Sequence, residues 1–87
     1  MPDVRLPGTL TPLFADLPRH GEIDATTVLE AIDQLEARWP GIRDRIVAEG
    51  PVLRRHLHVY VDGERASLDT PIGATSRLDV IAAISGG

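Results

Sequence analysis

The residues best suited to chemistry stand at the end of the chain, where Ser85-Gly86-Gly87 follows the last apolar run. Glycine has no Cβ, so a Gly-Gly end can thread a narrow channel in backbone conformations closed to other residues. A partner enzyme can then bring the terminal carboxylate to the α-phosphate of ATP. The product is an acyl adenylate, open to attack by a sulfur or nitrogen nucleophile. A side chain at Gly86 or Gly87 would obstruct that approach. Glycine accounts for 8 of the 87 residues. Composition alone therefore ends about 1% of such chains in two glycines. Chain ends also tolerate small residues, which is the ordinary reading that tail chemistry must displace. With Gly87 as the last residue, no protease is expected to be needed to expose the carboxylate.

Other clusters carry less. His56 and His58 lie two apart in an alternating segment, so a strand would set both on one face. Two nitrogens without an evident third ligand make a weak metal site; the expectation is a polar strand face, with no metal. Tyr60 shares that face and suits docking. Arg54 and Arg55 form a small basic group with His56, ordinarily a solvated loop and otherwise a contact for an acidic partner. The candidate docking residues are thus Arg54, Arg55, His58 and Tyr60. Asp33 and Glu36 are three apart on a helix, but a catalytic carboxylate pair needs environments that separate its pKa values, and the pattern here points to solvation. Trp39 continues an apolar stripe and belongs to the core. The chain has no phosphate-binding glycine loop and no catalytic constellation. It is expected not to be an enzyme, and activation with ATP would need a separate protein.

Composition narrows the setting. A chain of 87 residues makes one domain with a modest core. Aromatic residues are only 3% (Phe14, Trp39 and Tyr60), so Val, Ile, Leu and Ala must fill the interior. The net charge of -4 disfavours nucleic acid, whose binding needs a basic patch, and likewise an anionic membrane surface. Without cysteine, disulfides, zinc thiolates and thiol nucleophiles are excluded. No apolar run approaches the ~20 residues of a membrane span. Pro2, Asp3, Arg5 and Pro7 interrupt any leader-like run, and a cytoplasmic location is expected.

The elements that must hold the tail are legible in outline. Val4-Arg5-Leu6 reads as a short strand stopped by Pro7-Gly8. Leu10 to Leu17 is either a helical turn or irregular core-facing chain. Pro18 to Gly21 is a loop, and Glu22-Ile23-Asp24 a brief strand. Thr27 and Glu30 have capping-box spacing. Val28, Ile32, Leu35 and Trp39 then recur at helical spacing, giving a one-sided helix from Thr27 to about Arg38 that ends at Pro40-Gly41. A shorter helix spans Ile42 to Ala48, with Ile42, Ile46 and Val47 inward, broken by Glu49-Gly50-Pro51. Leu57, Val59 and Val61 alternate with polar residues in a strand. Asp62-Gly63 is a hairpin turn, with a return strand over about Arg65 to Leu68. Arg77 to Ile84 is the last strand, with Leu78 and Val80 on one face and Ile81 either opposite or at a bulge. One amphipathic helix and a few strands bury their apolar faces together as a two-layer α+β domain.

Taken together, these segments resemble the MoaD/ThiS sulfur carriers, ubiquitin-like β-grasp proteins, over nearly the whole chain. Val4-Arg5-Leu6-Pro7 resembles the family's first strand. Thr27 to Glu30, Leu35 to Gly41 and Ile42 to Arg45 resemble its helix and following turn. Leu53 to Glu64 is similar to its central hairpin, and Leu68-Asp69-Thr70-Pro71 to the loop before the final strand. Gly86-Gly87 completes the match. Each motif is weak alone; their order and spacing are specific. The resemblance implies a mixed four- to five-stranded sheet packed on one main helix plus a short helix. It divides the chain into a β-grasp domain over 1–84 and a flexible tail over 85–87.

It also implies a carrier cycle with no bound cofactor. A ubiquitin-activating-like enzyme of the MoeB/ThiF type would use ATP to adenylate Gly87. A sulfur donor such as a rhodanese or cysteine desulfurase would convert the terminus to a thiocarboxylate, and a biosynthetic enzyme would accept the sulfur. Gly86 would give clearance, and Ile84 and Ser85 would lie in the partner's channel. Length and hairpin are closer to stand-alone carriers, such as those serving cysteine biosynthesis, than to a short thiamine carrier. Thr75-Ser76 stands where the family often has Asp-Gly, Ala82 where it has Pro, and His58 where it has Asn; these departures bear on the partner. The alternatives are the small subunit of molybdopterin synthase, a ubiquitin-like modifier conjugated through Gly87, and an interaction domain with an idle tail.

Overall fold

The computed structural model of the chain describes residues 1–82. Its main helix, α1 (Val28–Arg38), is capped by Thr27, whose hydroxyl accepts from the Glu30 N–H at 3.1 Å. The reciprocal half of the cap is displaced by one residue. The Glu30 carboxylate takes the N–H and the hydroxyl of Thr26, at 3.1 and 3.2 Å, instead of the Thr27 N–H. Val28, Ala31, Ile32 and Leu35 are buried, which is the stripe the sequence requires. Trp39 closes the helix as a half-buried cap, and its indole N–H donates to the Ala15 carbonyl at 3.2 Å.

The stripe lies against a five-stranded mixed sheet in the order β2-β1-β7-β5-β6. The strands are β1 (Asp3–Arg5), β2 (His20–Glu22), β5 (Leu57–Val61), β6 (Glu64–Ala66) and β7 (Arg77–Ala82). β1 and β7 run parallel and the other neighbours antiparallel. Val4, Leu57, Val59, Leu78 and Val80 turn inward and join Ile32, Ile42 and Ile46 in one aliphatic core. The hairpin turn is formed by Asp62 and Gly63 at φ 51° and 86°, the positive values that its sequence tolerates.

Several boundaries differ from expectation. β2 begins at His20 instead of Glu22, because Arg5 and His20 are register partners and Leu6 N–H donates to the Arg19 carbonyl. Leu10 to Leu17 resolves into a 3-10 turn, Thr11–Leu13, with Leu10 and Leu17 buried on either side. The short helix α2 (Ile42–Ile46) stops before Val47-Ala48, which forms β3 and pairs with β4 (Val52–Leu53) in a two-residue ladder. Val47 is β-branched and its inward side chain is satisfied equally by a strand. The return strand ends at Ala66. β7 is described to Ala82, with continuous pairing to β5 and no bulge, so Ile81 simply alternates outward.

Candidate functional site

The tail residues singled out by sequence, Ile84, Ser85, Gly86 and Gly87, lie outside the described residues, as does the expected boundary between domain and tail. The strand that leads to them is well defined. β7 is central, paired with β1 over Arg77–Asp79 and with β5 from Leu78 to Ala82. Leu78 is fully buried and Val80 nearly so. Its last described residue, Ala82, sits opposite Leu57, the first residue of β5. The strand leading to the tail is thereby tied to β1 at its start, to β5 through its described end, and to the core.

Around this end the docking candidates fall into two groups, which the fold does not merge. His58 and Tyr60 point to the face of the sheet away from α1. His58 is opposite Ile81, and Tyr60 is opposite Asp79 on one side and Arg65 on the other. Ile81 is 46% exposed, and Arg77 donates to Asp79 at 2.9 Å. Among the described residues, the His58 Nδ1 is buried without a hydrogen-bond partner.

Arg54 and Arg55 belong instead to the turn before β5. His56 is in that turn as well and is not part of the strand, so it does not share a continuous strand face with His58. Together with Leu13, Phe14, Gly41, Asp44 and Arg45, Arg54 and His56 line a cleft of about 640 Å³. Arg54 is no loosely solvated residue. Its backbone N–H donates to the Ile46 carbonyl at 3.0 Å and its Nε–H to the Asp44 carbonyl, which ties the turn to the end of α2. Arg45, on the outward face of α2, was not singled out by sequence; no local spacing signals its approach to residues nine and more positions away.

Asp33 and Glu36 are likewise structural and not merely solvated. Both Glu36 oxygens accept from the Gly41 N–H, at 3.1 and 3.0 Å, and one accepts from the Arg43 N–H at 2.9 Å. The carboxylate thus caps α2, and these bonds, with the Gly41 N–H foremost, hold its pKa below the usual value. Gly41 has φ 100°, a left-handed conformation that favours glycine. Asp33 accepts from Arg43 Nε–H at 3.1 Å. Asp69 is also held below its usual pKa, chiefly by the Ser67 hydroxyl, which donates to it. Both shifted carboxylates serve local structure. Among the described residues no group of three His, Cys, Asp or Glu side chains could hold a metal, and no helix is long and apolar enough to cross a membrane.

Comparison with known proteins gives concordant results. The sequence profile of the ThiS family matches residues 4–87. The chain is similar to the CysO of an Amycolatopsis orientalis BexX/CysO complex, at 31% identity and TM-score 0.88 over 100% of both chains. It shares the fold of Mycobacterium tuberculosis CysO, with 24% identity, TM-score 0.84, and coverage of 97% of this chain and 100% of that one. It is also similar to small archaeal modifier protein 1 of Haloferax volcanii, with 28% identity, TM-score 0.68, and coverage of 99% and 98%. Among curated protein sequences there is no match.

Proposed function

The chain belongs to the ThiS family of ubiquitin-like β-grasp carriers, and on that premise we propose that it is a sulfur carrier whose terminal glycine is the site of loading. The observation that carries the reading is Gly86-Gly87 at the end of a family match running from residue 4 through 87. A central, doubly paired strand beneath the tail suits a carrier, since a rigid body can then present a short terminal segment to another protein.

In the proposed cycle the Gly87 carboxylate attacks the α-phosphate of ATP inside a MoeB/ThiF-type activating enzyme, and pyrophosphate leaves. A sulfur nucleophile then attacks the acyl carbon and AMP leaves. With a persulfide donor, a second thiol must cleave the resulting S–S bond to free the thiocarboxylate. The loaded tail passes its sulfur to a biosynthetic enzyme, of which cysteine or thiosugar synthesis are examples. The chain supplies no catalytic side chain and binds no cofactor; the ATP belongs to the activating enzyme. Two glycines admit the terminus to the adenylation centre, and Ile84 and Ser85 line the approach. That a related CysO is found in complex with another protein, BexX, supports a life spent in successive protein complexes, which we place in the cytoplasm.

Intact-mass measurement of chain made with its own sulfur machinery tests the reading. The expected product is heavier by the difference between one sulfur and one oxygen atom. Deletion of Gly87 should abolish sulfur transfer, with thermal melting on the same sample to separate this from unfolding; transfer surviving the deletion overturns the proposal. The similarity to a small archaeal modifier protein favours a second reading, conjugation to protein lysines. Its signature would be isopeptides ending in Gly87 in place of a thiocarboxylate.

A further inference from the structure

The cleft beside the tail's base has a charge opposite to that of the chain. The chain carries -4 overall, yet Arg45, Arg54 and His56 line this cleft and Arg55 adjoins it. The arginine ion pairs among the described residues engage Arg5, Arg43 and Arg77; Arg45, Arg54 and Arg55, like Arg19, Arg38 and Arg65, form none there. Arg54 is the most informative. The Asp44 carbonyl fixes its Nε, so the guanidinium is held in place with its terminal N–H groups uncommitted among the described residues. Pre-ordered guanidinium is suited to carboxylates, which it binds in a forked geometry. The floor is apolar: Phe14 is half-buried, and Leu13 is 52% exposed. Asp44 is the one acidic side chain in the lining.

We infer that this cleft docks an acidic segment of a protein partner, with an apolar side chain seated on Leu13 and Phe14 and carboxylates on Arg45 and Arg54. Leu57, one residue after His56, is opposite Ala82, so a segment held here lies next to the strand that leads to Gly87. The role of that partner in receiving the tail rests on the carrier reading; the cleft itself does not.

NMR titration of the full 15N-labelled chain tests the cleft directly. One probe is a short peptide with alternating glutamates and leucines, the second its glutamine twin, the third inorganic phosphate. The acidic peptide should shift Leu13, Phe14, Arg45, Arg54 and His56, weaken with added salt, and bind at least tenfold better than the twin. Arg45→Glu should remove the effect while the remaining spectrum stays folded. Equal binding of the twin, shifts centred on Tyr60 and Ile81, no shifts, or phosphate alone reproducing the pattern would each overturn the inference. Pyrophosphate release with the activating enzyme reports the carrier reading separately. Its absence removes that reading, whatever the peptide does.

A second inference comes from composition. All nine cationic side chains are arginine, and the 87 residues include no lysine. An activated carboxyl is lost when an amine attacks its carbonyl carbon, forming C–N and expelling the leaving group with a proton. Guanidinium stays protonated and does not compete. The chain therefore offers no side-chain competitor: an activated tail can reach sulfur nucleophiles or lysines of other proteins, but no side-chain amine of its own copies. Chains linked copy to copy through isopeptides are excluded. A C-terminal thioester generated by intein cleavage tests this without any activating enzyme. At mildly alkaline pH the natural sequence should hydrolyse without side-chain adducts. Arg55→Lys, in the turn beside β7, should form amide-linked cyclic or dimeric products with loss of the thiol. Side-chain amides in the natural sequence, or none in the variant, would overturn it.

Discussion

Glycine at the terminus matters through what it omits. Gly86→Val adds a β-branched side chain where the proposed channel must admit bare backbone, and also narrows the available backbone conformations. The expected outcome is at least a tenfold fall in kcat/KM for adenylation, read as pyrophosphate release, with an unchanged melting temperature. Normal activation of the variant would remove the steric reason for the diglycine. The proposed loading site is a reading of the sequence alone, because its chemistry depends on residue type and position, with no fold needed. Arg45 was not legible. Its meeting with Arg54 depends on α2 and the later turn converging through the Asp44 and Ile46 carbonyls, a tertiary event that no periodicity records. The capping role of Glu36 escapes the sequence for the same reason. Helical phase alone puts it on the outer face, and only the reversal at Gly41 brings the N–H groups of Gly41 and Arg43 to its carboxylate.

Those contacts define how the elements join. α2 has only five residues, Ile42–Ile46, too few to be stable alone, so its cap is supplied by α1. The Glu36 pKa is lowered from 4.5, first by the Gly41 N–H and then by that of Arg43. A carboxylate with a depressed native pKa favours folding at pH values above its unfolded pKa, and that contribution is lost as pH falls through the native value. Urea midpoints measured from pH 7 down to pH 3 should therefore drop less steeply in Glu36→Gln than in the natural chain, beginning near 4.5. Parallel curves would show that the cap contributes nothing. At the other end of α1, Thr27→Ala removes the acceptor of the Glu30 N–H and should cost about 1 kcal/mol by urea denaturation. That cap was readable from Thr27 and Glu30 alone. The shift of the carboxylate to Thr26 was not, because it arises where Thr26 and Val28 bond the Thr70–Ile72 segment across a long sequence separation.

At the scale of the molecule, the fold follows from a shortage of partners: one apolar helix stripe and a set of alternating strands must cover each other. Alternation in Leu57–Val61 fixed a strand and its inward face, but strand order was beyond local pattern. The parallel pairing of β1 with β7 joins the two ends of the chain, and nothing between residues 5 and 77 announces it. This pairing has a dynamic consequence. β7 is flanked on both sides, whereas β2 and β6 are the sheet's edges. Opening β7 must also open the core around Leu78 and Val80, while an edge strand can detach locally. Leu78→Ala should accordingly cost about 3 kcal/mol, a large part of the roughly 4–13 kcal/mol expected for a domain of this size. Native-state hydrogen exchange should find the paired amides of β7 and β5 protected near the global unfolding free energy, and those of His20–Glu22 exchanging sooner by at least tenfold. If β7 exchanges as fast as β2, the base of the tail is a mobile strand, and a rigid body presenting a short terminal segment is the wrong picture of this carrier.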